Sequence, residues 1–201
     1  MDVITDRRSE LLNEIVEAFL ASGTTELSLR PLAERVGTSA RLLIYHFETK
    51  EKLVTAALAQ IRLRIAASLK DRSAREKPAS LREFLFMFWN WATEKPHQNY
   101  FRLLFEVDGL AMFNRKFSKE ARRDGDSVWT GMIERASAAL PGSSEMSSAH
   151  ATLIRTTLGG LLQEFLSTGD LKRTTAALSD FIGLMERAEI SSKRTSSHKK
   201  S

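Results

Sequence analysis

The chain has 201 residues, of which 42% are hydrophobic and 27% charged, with 10 Gly and 4 Pro. This is the composition of an ordinary globular protein, so it excludes a fully disordered, collagen-like or low-complexity chain. The sequence contains no Cys, which excludes a disulfide scaffold, a thiolate nucleophile and a cysteine-based metal site.

The net charge of +5 comes almost entirely from the C-terminal end. Residues 191–201 contain four Lys or Arg and no acid. We predict that they form a disordered basic tail, with an auxiliary phosphate contact as the alternative. The N-terminus lacks the apolar core of a signal peptide, and the longest apolar run, residues 84–89, is far shorter than the roughly 20 residues of a membrane span. We expect a cytoplasmic protein with no membrane partner.

The first three predicted helices lie close together in the sequence: one of about four turns is followed by two short ones. Apolar residues recur with a helical period between residues 11 and 20, and Gly23 suits a C-terminal cap. A second helix over residues 29–36 follows Ser28 and ends at Gly37, and a third over residues 39–47 opens with Ser39 as its cap. Leu43 and Phe47, four residues apart, are expected to face inward.

The remaining chain also has helical patterning. A fourth helix is predicted from Lys50 to about Lys70, with Arg62, Arg64 and Lys70 in solvent, followed by a polar loop over residues 73–80. Pro and Gly then separate helices at about residues 81–94, 97–108, 116–140, 145–166 and 171–189. The sequence therefore predicts an all-α fold of about nine helices, with a head at residues 1–50, a larger body at 51–190 and the tail at 191–201.

Two short helices joined by a glycine turn are typical of a helix-turn-helix motif, whose second helix enters the DNA major groove. An Arg near the start of that helix can pair with two acceptors of guanine, and small apolar side chains can contact thymine methyl groups. The side chains left on the outward faces are Ala40, Arg41, Leu42, Ile44 and Tyr45. The alternative is a helical hairpin inside an all-α core, with Leu42 and Ile44 buried.

The motif resembles the signature of the TetR (tetracycline-repressor-like) transcriptional regulators over residues 23–53, GTTELSLRPLAERVGTSARLLIYHFETKEKL. The likeness extends over residues 7–58 and includes Ala33, Gly37, Ser39, Leu43, Phe47, Lys50 and Leu53 at marked positions. It implies an N-terminal DNA-binding head and a C-terminal body that binds a ligand and dimerises. The family usually has Tyr where Ile44 stands, so Tyr45 is the candidate for that aromatic contact.

The resemblance also implies roles for single residues. By position, the groove contacts are Ala40, Arg41, Leu42, Ile44 and Tyr45, and the phosphate contacts are Ser28, Arg30, Tyr45, His46 and Lys50. Ser39 is also a candidate DNA-binding residue, because it opens the third helix, which is the second helix of the motif. Lys50 stands at a helix N-terminus, which itself favours an anion. The alternative for His46 is a surface or capping residue.

Aromatic residues are concentrated in the first part of the predicted body. Such side chains line apolar ligand pockets, although they also make ordinary cores. The candidates for a pocket that takes a small hydrophobic effector are Phe84, Phe88, Trp91, Phe101, Phe105, Met112, Trp129 and Phe165. No other cofactor is expected.

The adjacent glycines Gly159 and Gly160 stand in the middle of a predicted helix, where each costs up to about 1 kcal/mol relative to Ala. Close approach of another helix is the usual reason for such a cost. We predict a homodimer whose interface contains Leu153, Thr157, Gly160, Leu161, Leu178, Phe181 and Met185. The alternative is a local kink packed inside one protomer.

Catalysis is not expected from this sequence. The four His lie on separate segments without metal-ligand spacing, and no nucleophile-elbow, P-loop or dinucleotide motif occurs. We predict a sequence-specific DNA-binding regulator, a ligand-responsive repressor that acts as a homodimer on a palindromic operator, with activation as an open alternative. A different class of function, a helical ligand-binding or protein-interaction module that does not bind DNA, also fits the fold.

Overall fold

The computed structural model describes residues 3–23, 28–113 and 146–198, together with residues 131, 133, 134, 137 and 138. These parts of the chain are helical throughout, apart from turns and caps, as predicted. The helices are α1 (Val3–Ser22), α2 (Leu29–Arg35), α3 (Ala40–Phe47), α4 (Lys50–Glu76), α5 (Leu81–Thr93), α6 (Lys95–Phe113), α7 (Ser148–Thr168) and α8 (Leu171–His198). Most of the helix expected at 116–140 lies outside the described residues.

Helices α1, α2 and α3 pack together as the head. The apolar stripe of α1 is buried, and Ile15 and Val16 are fully inaccessible to solvent. Gly23 ends this helix with a φ of 75°, and its N–H donates to the carbonyl of Phe19 at 2.8 Å. The left-handed conformation favours glycine, so the cap predicted at Gly23 is confirmed.

Helix α4 is longer than expected and connects the head to the body. It packs against α1 and α3 at the head and against α5 and α6 in the body. The helix includes part of the expected loop and ends at Glu76, where Lys77 adopts a left-handed φ of 47°. Pro78 follows directly and cannot continue a helix, so the helix ends at the Pro rather than at the first polar residues.

One charged residue of α4 lies inside the protein. The expectation that Arg62 stays in solvent was wrong, because its exposed fraction is 7%. Its neighbour in sequence, Ile61, is fully buried. Since four other helices surround α4, residues outside the predicted apolar stripe are also enclosed.

The last turns of α4 are tied to α5 by polar contacts. Arg72 forms an ion pair with Glu76 at 2.6 Å and another with Glu94. The side-chain hydrogen bond to Glu94 is the main factor that raises the pKa of Arg72 above its ordinary value. The indole N–H of Trp91 donates to the hydroxyl of Ser68 at 3.0 Å, so the junction between the two helices is held by buried and surface groups together.

The body is built around α5. Trp89 is fully buried, and its indole N–H donates to the Thr175 hydroxyl on α8 at 2.8 Å. Helix α5 also packs against α6 and α7, and α7 and α8 form an antiparallel pair. The near-continuous apolar sequence of α5 is therefore explained by neighbours on several faces.

Two helix ends differ from the expected positions. Helix α6 runs from Lys95 to Phe113 and includes Gly109, which the sequence analysis took as its end. A single Gly lowers helix stability without stopping a helix. Helix α8 continues to His198, through most of the tail expected to be disordered, in a stretch that has neither Pro nor Gly after Gly183. Within the described segments, no helix is long and apolar enough to cross a membrane.

Candidate DNA-binding surface

The turn between α2 and α3 sets the position of the second helix. Val36 caps α2, and Gly37 follows with a φ of 63°. The N–H of Thr38 donates to the carbonyl of Ala33 at 2.8 Å, which closes the turn. A left-handed residue is required at Gly37 for this geometry, and glycine adopts it without the steric cost of a side chain.

Helix α3 buries one face and exposes another, as the sequence spacing predicts. Leu43 and Phe47 are 0% and 2% exposed, and they anchor the helix in the head. Tyr45 is 68% exposed and Ile44 38%, so both project outward. Arg41 is also exposed, one turn before Tyr45. Burial of Ile44 in a helical hairpin core, the alternative from the sequence, is therefore excluded.

The other predicted contacts on α3 are partly covered. Ala40, Leu42 and His46 are half-buried. The rings of Tyr45 and His46 meet edge to face with centroids 5.2 Å apart. The structure thus brings the five predicted groove residues onto one short helix, with the small and aliphatic side chains beside the exposed Arg41 and Tyr45.

The two serines that open the helices differ in their hydrogen bonds. The hydroxyl of Ser39 accepts from the N–H of Leu42 at 3.1 Å, which confirms it as the N-cap of α3. Ser28 occupies the N-cap position of α2 but makes no side-chain capping bond. Ser28 is exposed, so its hydroxyl is placed where an anion can reach it.

Basic residues lie on the two helices that flank α3 in the chain. Arg30 lies on α2 with its side chain 88% exposed, 3.4 Å from Glu34 in an ion pair. Such an exposed pair is weak and gives way readily to a stronger anion. Lys50 is half-buried at the first position of α4. Helix α3 itself has no acidic residue, and the acids next to it, Glu34 and Glu48, are each paired with a base, Arg30 and Lys52.

A contact between α1 and the end of α3 is not predictable from the sequence pattern. The Nε–H of Arg8 donates to the carbonyl of His46 at 3.2 Å. The guanidinium carbon also lies 5.0 Å from the centre of the Phe47 ring. Arg8 is on the polar side of α1, and since its partners are 38 residues away, nothing in the local pattern points to this role.

Most of the candidate ligand residues in the body belong to the hydrophobic core or pack against it, and several of them form an aromatic cluster. Phe84, Phe88, Trp91, Phe101 and Phe165 are at most 8% exposed, and Phe105 is half-buried. The rings of Phe88, Trp91 and Phe101 contact one another with centroids 5.9 to 6.3 Å apart. Within the described residues, these rings are packed as a core.

Two candidates do not belong to that cluster. Met112 is 69% exposed near the end of α6, so it lies on the surface there. Trp129 lies outside the described residues. His97 was not a candidate, yet it stacks on Trp91 with ring centroids 4.3 Å apart.

The candidate dimer residues fall into three groups by exposure. Leu153 is 48% exposed and Gly160 is also exposed, on the outer face of α7. Half-buried positions on the α7 and α8 pair are Thr157, Leu161, Phe181 and Met185. Leu178 is fully buried, so it belongs to the protomer core and not to an exposed stripe. Leu184, 60% exposed on α8, is an apolar surface residue that the sequence analysis missed.

The chain matches known proteins in its head and in its overall fold. Residues 11–57 match the sequence family described as bacterial regulatory proteins, tetR family. A search of curated protein sequences finds no match.

Solved structures show the same fold along nearly the whole chain. One from Rhodococcus sp., described as a TetR-family transcriptional regulator, has 23% identity and a TM-score of 0.68, with 90% of this chain and 97% of that chain covered. Another transcriptional regulator, from Rhodococcus sp. Rha1, has 18% identity and a TM-score of 0.72, with 90% and 96% covered. A third, from Saccharomonospora viridis and in complex with choline, has 19% identity and a TM-score of 0.61, with 89% and 96% covered.

The family match covers α2, α3 and the turn between them, where the exposed basic and aromatic side chains lie. The helical body behind this head has the fold of the similar regulators. Residues 11–57 therefore carry the sequence pattern of the tetR family of bacterial regulatory proteins, and the chain as a whole has the fold of the similar regulators.

Proposed function

We propose that this protein is a transcriptional regulator of the TetR family, which binds a two-fold symmetric operator as a homodimer, reads its bases with α3 and releases it when an effector binds the body. The observation that carries the proposal is the outward face of α3, where Arg41, Ile44 and Tyr45 are exposed while Leu43 and Phe47 anchor the helix. A helix held in this way can enter the major groove without disturbing the head. We take residues 1–50 as the DNA-binding head and residues 51–190 as the body.

We assign base contacts and phosphate contacts to different residues. Arg41 is the candidate for a guanine contact, because its guanidinium can donate two parallel hydrogen bonds to the major-groove edge. Ala40, Leu42 and Ile44 supply apolar contacts to thymine. Lys50, Arg30 and Ser28 surround α3 and are the candidates for phosphate, which fixes the orientation of the head. Tyr45 and His46 lie at the far end of the helix and complete the surface.

A homodimer is supported by the surroundings of the two glycines in α7. A Cβ built on Gly159 or Gly160 meets no other atom of the described chain within 4 Å. Packing among the described residues of the protomer therefore offers no reason for two glycines in this helix, whereas close approach of a second copy does. The exposed Leu153 and Leu184 add apolar area to the same pair of helices. The two-fold axis of such a dimer gives the operator its symmetry.

An effector site in the body is supported by the aromatic cluster and by one similar structure. Phe88, Trp91 and Phe101 are the rings that would contact an uncharged aromatic or a quaternary ammonium group. Because they pack against one another, such an effector must separate them to bind. The Saccharomonospora viridis regulator was solved in complex with choline. Saturable quenching of tryptophan fluorescence by choline or an apolar aromatic compound is the expected sign of such a site, and its absence across a panel contradicts an effector of this class.

Helix α4 is the candidate for the connection between effector and operator. It begins with Lys50 beside α3 and reaches Arg72, which is tied to α5. An effector that prefers a different tilt of α4 changes the separation of the two α3 helices in the dimer. Linkage then requires DNA to weaken effector binding by the same factor. Repression follows when the free protein is the operator-binding form.

Selection of bound duplexes from a random DNA library tests the proposal. We expect a two-fold symmetric consensus for the purified full-length protein. Arg41→Ala should relax the preference at the contacted base pair, at a cost of roughly 1–3 kcal/mol for the correct base. Lys50→Ala should weaken all sequences alike and reduce the slope of log affinity against log salt by about one.

The outcomes separate this proposal from the other class of function. Enrichment of no sequence, with weak binding that neither substitution changes, would mean that the chain is a ligand-binding or protein-interaction module of the same fold. Enrichment that survives Arg41→Ala unchanged would assign base reading to another residue. Arg75→Ala, an exposed Arg at the far end of α4, is the matched control that should leave both specificity and salt slope intact.

A further inference from the structure

The last turn of α3 depends on groups outside the helix. With eight residues it has little more than two turns, too few for stability in isolation. Its final carbonyls have no partner within the helix and must find one elsewhere. The N–H groups of Glu48 and Thr49 bind the carbonyls of Ile44 and Phe47, at 2.8 and 2.7 Å.

The carbonyl of His46 receives its hydrogen bond from a different helix. Arg8, in the first half of α1, donates from Nε at 3.2 Å. Its guanidinium simultaneously covers the ring of Phe47 at 5.0 Å. One planar side chain therefore binds both the backbone and a core side chain of the same turn.

This contact is favourable for two physical reasons. A cation at the C-terminal end of a helix interacts with the negative end of the helix dipole. A guanidinium over an aromatic face adds a cation–π attraction. Both act on the turn that carries Tyr45 and His46, and together with the Ser39 cap they fix α3 at its two ends.

We infer that Arg8 is a positioning residue, which holds the C-terminal turn of α3 at the angle needed for base reading. The inference rests on the proposed function, because base reading by α3 is what the position serves. Arg8 acts through α3 and does not itself contact DNA. The competing assignment is a direct phosphate contact, since Arg8 is exposed and basic.

Two properties separate the two roles. A phosphate contact contributes about one unit to the salt slope and acts on every sequence equally. A positioning contact increases the affinity for the selected operator alone. It leaves the slope of log affinity against log salt unchanged. Lys replaces Arg well as a point charge toward phosphate, but it lacks the planar fork that lies on an aromatic ring.

The experiment measures dissociation constants of the full-length protein for its selected operator and for a scrambled duplex, at several salt concentrations. Arg8→Ala should weaken operator binding about tenfold, as expected for a charge-assisted hydrogen bond, with the scrambled duplex and the salt slope unchanged. Arg8→Lys should not restore the operator affinity. Arg7→Ala is the matched control, because Arg7 is adjacent but pairs with Glu10 at 3.0 Å, and it should behave as wild type.

A second measurement does not require DNA. Amide hydrogen exchange of the free protein should become faster in the last turn of α3 in Arg8→Ala, and in Arg8→Lys to a smaller extent, while Arg7→Ala leaves it unchanged. Circular dichroism of Arg8→Lys, the milder variant, checks that the head remains folded.

Several results overturn the inference. One is equal weakening of both duplexes with a reduced salt slope and full rescue by Lys, which assigns Arg8 to phosphate. Unchanged operator affinity in Arg8→Ala is another, and so is unchanged exchange in α3. If the wild-type protein selects no sequence, the proposed function fails, and the exchange measurement still decides whether Arg8 holds α3.

Discussion

At the scale of single residues, two serines at equivalent helix positions make different hydrogen bonds. Ser39 uses its hydroxyl to accept from the N–H of Leu42, so it stabilises the start of α3. Ser28 stands at the same position of α2 without such a bond. A hydroxyl that is not engaged by its own helix is available to a ligand, and this difference can be measured.

Ser39→Ala should lower the free energy of unfolding by about 1 kcal/mol, because it removes an N-cap. Ser28→Ala should change it by less than about 0.5 kcal/mol and instead weaken binding to every DNA sequence. Urea denaturation and DNA titration of the two variants check both statements. Equal stability losses in the two variants would contradict the distinction between the serines.

The burial of a residue could be predicted where it depends only on which face of its helix the residue occupies. Leu43 and Phe47 lie four residues apart on α3, and both are buried as their spacing indicates. Arg62 and Leu178 show where the prediction fails. Their burial depends on helices far away in sequence, and a periodic pattern along one helix contains no information about how many neighbours surround it.

At the scale of helices, α7 contains two destabilising glycines for which the described part of its own protomer gives no packing reason. Gly159 and Gly160 lie in mid-helix, and a Cβ at either meets open space among the described atoms. A larger side chain should therefore fit the isolated protomer, and by helix propensity it should even favour the helix. What it should not fit is a second copy packed against this face.

Gly160→Arg should convert the dimer to a monomer while the helix content is retained. Ala74→Arg, an equally charged change at an exposed position of α4, should remain dimeric. Sedimentation equilibrium at micromolar concentration and circular dichroism check the two properties. A dimer that persists in Gly160→Arg would place the interface elsewhere.

Helix positions were predictable wherever caps or Pro mark them. Ser39, which the sequence predicts as a cap, accepts a backbone N–H at the start of α3, and Thr49 and Ser80 make the same kind of cap for α4 and α5. The ends of α6 and α8 were placed too early. A lone Gly109 and a polar tail weaken a helix without ending it, so sequence pattern alone locates these ends poorly.

At the scale of the whole molecule, α4 belongs to the head and the body alike. It packs on α1 and α3 of the head and on α5 and α6 of the body. Helix α1 also contacts α6 directly. The predicted boundary at residue 50 therefore falls at the start of a shared helix, and the two parts should unfold together.

Ile61→Ala should lower the free energy of unfolding by 2–5 kcal/mol, the usual range for such a truncation in a core, since Ile61 is fully buried. Leu63→Ala, two residues later but 66% exposed, should change it by less than about 0.5 kcal/mol. Far-ultraviolet circular dichroism should report the same midpoint as tryptophan fluorescence, which reports on the body because the head contains no Trp. Separate midpoints would show that head and body unfold independently.

The candidate DNA-binding surface could be predicted from the sequence better than the sites in the body. Its residues lie within one short segment, so local spacing defines their faces. The effector and dimer candidates come from several helices, and their relation depends on packing that spacing does not specify. Phe88 and Trp91 could be predicted as apolar and close, but not as partners in a packed core.

The contacts between α1 and α4 also restrict which heads from related proteins can be joined to this body. Arg64 binds Glu17 at 2.5 Å and Asn13 at 3.0 Å, and Gln60 reaches Asn13 at 3.4 Å. A foreign head grafted at residue 50 would remove Asn13 and Glu17 while it kept Gln60 and Arg64. Chimeric regulators made from this body therefore need a donor head that supplies both polar partners, or a junction moved beyond Arg64.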